Sequence, residues 1–295
     1  MIALMGATGQ VGGAAARALA ARGLAFRALS RTPSGVRIAG AAEVVAANPQ
    51  DAASLARGFA GCSAVFVMIP PYLTAPDVRA EGQKTVRAIC EALLAVRPAH
   101  VVALSSGGAD LAEGTGPILS MHDLEQTIEA TGLPVTRIRS GDFMENWAAL
   151  IGLAAATGIL PMGMQPFDRS YPTVSTEDVG GAVAEALAGP APANRRTINV
   201  LGPGDFCPND LARAITMETG REVTLAPAAR DDLLAGFLEA GVGEDYARGI
   251  CDIYASLNSG RIGFAPRSGE TWRGRMTFAD VVRRVLDKAA AAPAA

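Results

Sequence analysis

The chain has 295 residues, of which 49% are hydrophobic and 19% are charged, and its formal net charge is −3. This composition supplies a packed core and excludes the low hydrophobicity and high net charge of a disordered chain. Basic residues run no longer than pairs such as Arg195-Arg196. A large electrostatic surface for nucleic acid is therefore excluded, and we expect no direct nucleic-acid binding.

The first half of the chain alternates short apolar runs with helical patterns. Strands are predicted at 2–5, 25–30, 43–46, 64–69, 101–104 and 135–138, and helices at 13–22, 51–59, 76–96 and 121–131. The run 64–69 is continuously apolar, which is typical of a strand buried on both faces. Strand–helix alternation predicts an α/β fold, a doubly wound parallel sheet of the Rossmann type.

Beyond about residue 145 the alternation loosens. We predict helices at 178–188, 208–219, 231–240, 245–259 and 277–288, a strand at 197–200 that returns to the sheet, and a frayed tail at 289–295. The resulting organisation is a dinucleotide-binding domain at 1–145, with 173–202 returning to it. Residues 146–172 and 203–295 are predicted to form a smaller, mostly helical C-terminal lobe that covers the substrate.

The sequence also predicts where in the cell the protein is found. Residues 147–164 carry no charge but fall short of the roughly 20 strongly apolar residues of a spanning helix, so we predict an apolar helix and loop over a pocket and no membrane association. A strand at residue 2 leaves no place for a signal peptide, so we expect a cytoplasmic protein.

The four cysteines form no CxxC pair and no cluster with the two histidines, so no metal site is expected.

A glycine-rich turn joins the first strand to the first helix. Residues without Cβ atoms allow backbone N–H groups to face a pyrophosphate at a helix N-terminus. At the junction of a strand and a helix in a longer alternation, this turn predicts a dinucleotide site. The predicted cofactor contacts in the turn are Gly6, Ala7, Thr8, Gly9, Gln10, Val11 and Gly12.

The end of the second strand predicts which cofactor is bound. An acidic residue there would hold the ribose 2′-hydroxyl of NAD, whereas arginine favours the 2′-phosphate of NADP. The segment has no Asp or Glu, and it places Arg31 next to Ser30, which can add a hydroxyl contact. We therefore predict NADP(H); the alternative for Arg31 is a solvated surface residue.

The next three strand ends supply the remaining predicted cofactor contacts, since ligands collect at the carboxyl edge of such a sheet. Asn48 is predicted to meet the adenine edge. The segment Ile69-Pro70-Pro71 would run along the pyrophosphate and the second ribose, and the pair Ser105-Ser106 lies at the end of the fifth strand.

With these residues in place, the chain resembles the NmrA-like family of atypical short-chain dehydrogenases/reductases. Gly6-Ala7-Thr8-Gly9-x-x-Gly12 matches the family's phosphate loop, Ser105-Ser106 matches its fifth-strand motif, and residues 132–146 are similar to its most specific stretch. The resemblance implies a Rossmann-type fold and NADP. The family includes NADPH-dependent quinone, dye and isoflavone-type reductases as well as NADP-binding regulators that sense redox state, so the activity itself is left open.

Ordinary carbonyl reduction by a Tyr-x-x-x-Lys pair is not expected, because none of the four tyrosines has a lysine four residues on. Where many relatives carry Lys or His before the helix Glu, this chain has Met121, with His122 one position later. His122 is the candidate acid or hydrogen-bond donor; its alternative is a polar residue touching ribose or solvent. Tyr72, Phe143 and Trp147 are candidate walls of the substrate pocket, with ordinary core packing as the alternative for the last two.

Three hypotheses follow. The first is an oxidoreductase that transfers a hydride from NADPH to a quinone-like or other conjugated, apolar small molecule. The second is a non-catalytic NADP(H)-binding regulator that senses redox state and acts through a protein partner. A sugar-nucleotide epimerase shares the Gly6–Gly12 turn, but it would need a Tyr/Lys pair and prefer NAD. The sequence leaves open the substrate and whether the chain forms a homodimer.

Overall fold

The computed structural model describes residues 1–264 and 269–291 and confirms the predicted fold class. Twelve strands are described within those ranges: β1 Ile2–Leu4, β2 Phe26–Ser30, β3 Ala41–Ala46, β4 Ala64–Val67, β5 His100–Ser106, β6 Val135–Ser140, β7 Asp142–Phe143, β8 Ile159–Met162, β9 Thr173–Val174, β10 Arg195–Leu201, β11 Thr224–Pro227 and β12 Glu270–Arg273. The helices are α1 Gln10–Ala21, α2 Ala52–Phe59, α3 Val78–Val96, α4 Leu119–Glu129, α5 Ala148–Thr157, α6 Thr176–Ala188, α7 Pro208–Thr219, α8 Arg230–Glu239, α9 Glu244–Asn258 and α10 Phe278–Ala291.

Eight of the strands form one parallel sheet in the order β12-β10-β6-β5-β4-β1-β2-β3. The chain starts in the middle with β1, builds outward through β2 and β3, and then crosses back to β4 on the other side of β1. The strand order therefore reverses between β1 and β4. In doubly wound sheets, ligands bind outside the carboxyl ends of the strands at this reversal.

The sheet is covered on both faces by apolar clusters. Phe66 of β4 belongs to one cluster, with α1 and α6 residues, whereas its neighbours Val65 and Val67 belong to the other, with residues of α2 and α3. Alternate residues of a strand point to opposite faces, so a strand covered on both faces must be apolar throughout. This explains the continuous apolar run that predicts β4.

Close packing of two helices positions the start of α1. Between α1 and α6, a Cβ atom on Gly180 would lie 2.3 Å from the Cβ of Ala14 and 2.6 Å from the backbone nitrogen of Ala15. Only a glycine allows this approach, because real Cβ atoms do not come so near other heavy atoms. Helix α6 thus packs directly against the first half of α1, the helix that follows the glycine-rich turn.

The C-terminal half has its own apolar cluster, which includes Trp147, Leu160, Leu211 and Phe278. The structure differs from the sequence prediction at the sheet edge, where β12 pairs with β10, although residues 203–295 were expected in the lobe. The terminal helix continues to Ala291, and residues 292–295 of the predicted tail lie outside the described residues. Within 1–264 and 269–291, no helix combines the length and apolar composition needed to cross a bilayer.

Candidate functional site

The glycine-rich turn after β1 has the geometry of a tight phosphate-binding loop. Gly6 has a φ of +66° and accepts a 2.8 Å hydrogen bond from the Gly9 nitrogen. A Cβ atom on Gly12 would lie 2.1 Å from the Gly6 carbonyl oxygen, which no side chain can tolerate. The first glycine makes the turn, and the third lets the helix start pack onto it.

The N-terminus of α1 is open to an anion. No side chain caps it, and its first turn contains no acidic residue. In contrast, Asp51 caps α2, Asp77 caps α3 and Ser175 caps α6. The first N–H groups of a helix have no acceptor within the helix and carry partial positive charge. The α1 terminus therefore presents unused donors that fit a pyrophosphate.

The ends of β2 and β3 lie side by side next to this turn. The Ala47 nitrogen donates to the Ser30 carbonyl oxygen at 2.9 Å, so Asn48 follows directly beside Ser30. Arg31 is exposed and makes no hydrogen bond or ion pair with the described part of the chain. The Asn48 side-chain oxygen accepts from the Gln50 nitrogen at 3.0 Å. Arg31 thus presents a free guanidinium at the carboxyl end of β2, and its predicted contact with a 2′-phosphate stays a prediction.

The segment after β4 contributes apolar surface and a tethered tyrosine. Ile69 is 5% exposed, whereas Pro70 is partly and Pro71 largely exposed. The Tyr72 hydroxyl hydrogen-bonds with Thr85 at 2.5 Å and accepts from Gln50 at 3.1 Å. Tyr72 is therefore anchored to α3, and its hydroxyl is engaged within the protein.

Ser105, at the end of β5, belongs to a buried ionic network. Its hydroxyl donates at 2.5 Å to Glu125, which is 1% exposed and also accepts two bonds from Arg139 and one from Arg137. Burial alone would raise the pKa of Glu125, but the hydrogen bonds from Arg139 and Ser105 outweigh it and lower that pKa. Ser106 remains partly exposed and donates to the Gly107 carbonyl oxygen at 3.0 Å.

His122 lies on α4 and contacts the loop that follows β5. Its Nδ1 is 2.9 Å from the Ala109 carbonyl oxygen, which can only accept, so Nδ1 carries the proton. The neutral ring then has a lone pair on Nε2, and it donates from Nε2 only as imidazolium. His122 stays a candidate contact with the ligand, but as a hydrogen-bond acceptor in its neutral form.

The segment after β6 holds a carboxyl group at the carboxyl edge of the sheet. Asp142 accepts from the Trp147 indole at 2.8 Å and from the Asn146 amide at 3.0 Å. Burial raises the pKa of Asp142, and these two hydrogen bonds oppose the rise. Glu145 accepts from the Thr176 nitrogen at 2.9 Å and so fixes the start of α6.

The two predicted aromatic walls have different environments. Phe143 is partly buried and packs against the sheet cluster that contains α1 and α6. Trp147 is 4% exposed, and its ring centroid lies 5.7 Å from that of Phe278 in the lobe core. Trp147 therefore packs as core and binds Asp142 through its indole, whereas Phe143 keeps surface at the strand ends.

Helix α9 crosses the carboxyl edge of the sheet. Near its start, the Gly243 nitrogen donates to the Leu73 carbonyl oxygen at 2.7 Å, and Asp245 accepts from the Val78 nitrogen at 2.8 Å. Near its end, Ser256 donates to the Gly114 carbonyl oxygen at 2.6 Å. The helix thus spans the loops that follow β4 and β5 and covers the region where ligands bind in this fold.

A cleft of about 510 Å³ lies at the amino ends of β6 and β10, away from the glycine-rich turn, and is lined by Glu129, Arg137 and Arg195 among others. Its charges pair with one another. No group of three or more His, Cys, Asp and Glu side chains within the described ranges is arranged to hold a metal ion.

The sheet order and the turn define a Rossmann-type protein of the dinucleotide-binding kind. Residues 1–258 match the model of the NmrA-like family, and the chain belongs to that family. The family resemblance drawn from the sequence is thereby confirmed. A comparison with curated proteins found no match.

Solved structures resemble the chain over nearly its whole length. An NADPH-dependent quinone oxidoreductase from Escherichia coli, in complex with NADPH, is 19% identical with a TM-score of 0.78, over 97% of this chain and 100% of that one. A nucleoside-diphosphate-sugar epimerase from Staphylococcus aureus is 15% identical with a TM-score of 0.78, over 96% and 99%. A Citrobacter triphenylmethane reductase, in complex with NADP(H), is 19% identical with a TM-score of 0.77, over 97% and 100%. At these identities the likeness shows the fold.

Several residues near the site were not predicted from the sequence. Arg137 and Arg139 did carry a signal, since two charges in a central strand need a buried partner. Asp142 and Tyr254 of α9 carried none that distinguishes them from surface residues, because their neighbours come from distant parts of the chain.

Proposed function

We propose that this protein is an NADPH-dependent reductase that transfers a hydride to a quinone-like or other conjugated small molecule. One observation supports this proposal most strongly: the N-terminus of α1, after the tight glycine turn, has no side-chain cap, and the guanidinium of Arg31 next to it is unpaired. Two of the similar structures are reductases solved with NADPH or NADP(H), and their names give a quinone and triphenylmethane dyes as their substrates.

NADPH supplies a hydride when it is bound. The Gly6–Gly12 turn and the α1 terminus would hold its pyrophosphate, and Arg31 would pair with its 2′-phosphate. The rest of the NADPH molecule would run along the strand ends, where it would contact Ser30, Asn48, the segment 69–71 and Ser106. Ser105 serves it indirectly, because its hydroxyl is committed to Glu125 and fixes the end of β5.

The protein side of the reaction fits a conjugated acceptor better than a simple ketone. The chain has no Tyr-x-x-x-Lys pair to protonate an alkoxide. A quinone or cationic dye takes the hydride into a delocalised system, and any proton it then needs can come from water. Phe143 and helix α9 would contribute position and exclusion of water from the acceptor.

The test follows NADPH absorbance with purified protein and a panel of quinones, conjugated dyes and simple ketones. We expect saturable oxidation with a quinone or dye and none with simple ketones. In Arg31→Asp the KM for NADPH should rise about tenfold or more, because a charge-assisted pair contributes about 1.5–3 kcal/mol. Arg37→Asp is the matched control, since Arg37 is also exposed in the same loop.

The outcomes separate the parts of the proposal. Equal effects of Arg31→Asp and Arg37→Asp would contradict the assignment of the 2′-phosphate to Arg31. Tight NADPH binding without turnover of any acceptor would contradict the reductase function, and the search would then move to protein partners of a cofactor-sensing regulator.

A further inference from the structure

A cavity of about 280 Å³ opens between α8, α9 and the segment that follows β8. Its lining is mostly apolar and includes Gly163, Ala228, Leu233, Cys251, Tyr254 and Asn258. None of these residues is predicted as a site from the sequence. The Asn258 side chain is fully engaged, because its oxygen accepts from the Gln165 nitrogen at 2.8 Å and its amide donates to the Gly163 carbonyl oxygen at 2.8 Å.

Two wall residues, Tyr254 and Gln165, have side-chain polar groups without a hydrogen-bond partner in the described part of the chain. The Tyr254 ring lies over Gly163, where a Cβ atom would be 2.9 Å from the Tyr254 Cδ2. The hydroxyl has no hydrogen-bond partner within residues 1–264 and 269–291. Burial raises the pKa of Tyr254, and the nearby Asp142 carboxylate raises it further, so the hydroxyl keeps its proton and can donate.

Hydrogen bonds connect the cavity wall to the carboxyl edge of the sheet. Asn258 on the wall accepts from the Tyr171 hydroxyl at 3.2 Å. The carbonyl oxygen of the next residue, Pro172, accepts at 2.9 Å from the nitrogen of Asp142, which lies in β7 directly after β6. Phe143, the partly buried aromatic residue at the strand ends, follows Asp142 in β7. A ligand in the cavity would therefore lie next to the edge at which the nicotinamide end of a dinucleotide binds in this fold.

The rim of the cavity is electrically neutral. Arg230 lines it, but its guanidinium pairs with Asp252 at 2.8 Å. A mostly apolar cavity that contains the free Tyr254 hydroxyl and the free Gln165 amide, with a neutral rim, suits an uncharged ring that carries an acceptor oxygen. Its volume lies just below the ~300 Å³ at which pockets for drug-sized ligands begin, which limits the ligand to a small ring system.

We propose that this cavity is the acceptor subsite and that the Tyr254 hydroxyl donates a hydrogen bond to a carbonyl oxygen of an uncharged quinoid ring bound in it. The inference rests on the proposed function and narrows its substrate class. Tyr254 is then a specificity-determining residue: it selects acceptors with a carbonyl oxygen over conjugated molecules that lack one.

The first test compares Tyr254→Phe with Tyr246→Phe. Tyr246 lies two turns earlier in α9, is partly buried and does not line the cavity. Binding of a methylated naphthoquinone to the protein saturated with NADP⁺ is measured by calorimetry. Loss of one neutral hydrogen bond should raise its Kd about 3- to 10-fold in Tyr254→Phe and leave it unchanged in Tyr246→Phe. The Kd of NADPH should stay unchanged in both.

A second variant tests the cavity without relying on the hydroxyl. Ala255 lines the cavity and is largely exposed, so Ala255→Phe adds bulk there at little risk to folding. We expect it to weaken quinone binding and raise the quinone KM while NADPH binding is retained. Circular dichroism checks that each variant is folded.

The outcomes distinguish the subsite from the reductase function. If the wild type reduces quinones and both Tyr254→Phe and Ala255→Phe bind and reduce them as well as it does, the subsite is wrong and the function stands. If the wild type binds the quinone in a Tyr254-dependent way without turnover, the subsite stands and the reductase function is wrong. If it neither binds nor reduces quinones, both are wrong.

Discussion

Replacing Glu125 with glutamine removes the only buried anion of the network that joins α4 to β5 and β6 in the described structure. Glu125 accepts bonds from Arg139 at 2.6 and 2.8 Å, from Arg137 at 3.1 Å and from Ser105 at 2.5 Å. In Glu125→Gln, Arg139, which is 7% exposed, keeps only Asp110 at 3.8 Å as a counter-charge among the described residues.

The magnitude follows from the burial of Arg139. Breaking a buried pair by removing one partner costs about 3–5 kcal/mol, because the remaining charge stays desolvated. Unfolding entropy of about 2.1 cal/mol/K per residue amounts to roughly 0.6 kcal/mol/K for this chain. Glu125→Gln should therefore lower the Tm by about 5–8 °C.

Thermal unfolding followed by circular dichroism or calorimetry checks this expectation. The control is Glu129→Gln, since Glu129 pairs with Arg137 and Arg195 but its side chain is 43% exposed. Exposed pairs contribute about 0–1 kcal/mol, so the control should shift the Tm by less than about 2 °C. Equal shifts in the two variants would refute the claim that burial makes the Glu125 network important for stability.

Three further predictions concern acid stability, the phosphate turn and a helix cap. Folding lowers the pKa of Glu125. The ionised carboxylate therefore stabilises the folded state above the unfolded pKa of about 4.3, and this stabilisation is lost as the pH falls through the lower folded pKa. The difference in Tm between wild type and Glu125→Gln should accordingly narrow below about pH 4. Gly12→Ala should raise the Kd of NADPH, measured by fluorescence titration, about tenfold or more, because the added Cβ would push the Gly6 carbonyl out of place. The control is Gly13→Ala, which should bind NADPH almost normally, because its Cβ would lie 3.4 Å from the Ala7 carbonyl oxygen. Asp51→Ala should cost about 1 kcal/mol in urea unfolding by removing the cap of α2, and an unchanged midpoint would show that the cap is dispensable.

Local patterns of amino acids predict several parts of the fold correctly. The glycines at 6, 9 and 12, the apolar strand at 64–67 and the helices α2, α3 and α7 lie where the sequence predicts them, within a few residues. Their signals act over a few residues, through periodicity, caps and the absence of Cβ atoms. The fold class follows from these local signals, and they also predict the course of a dinucleotide along the strand ends.

The partners of the buried polar groups depend on how distant elements pack against one another. The sequence shows charges in β6, but packing of α4 across β5 and β6 is what places Glu125 against Arg139 and gives it Ser105. The edge strand β12 has no apolar alternation, so nothing local predicts it.

The covering of the site is likewise a tertiary property. Trp147 becomes core because α10 brings Phe278 to it. Helix α9 covers the carboxyl edge of the sheet because its two ends bind the loops after β4 and β5. Contacts between residues so far apart in the chain depend on how whole elements pack, and local propensity carries no information about that packing.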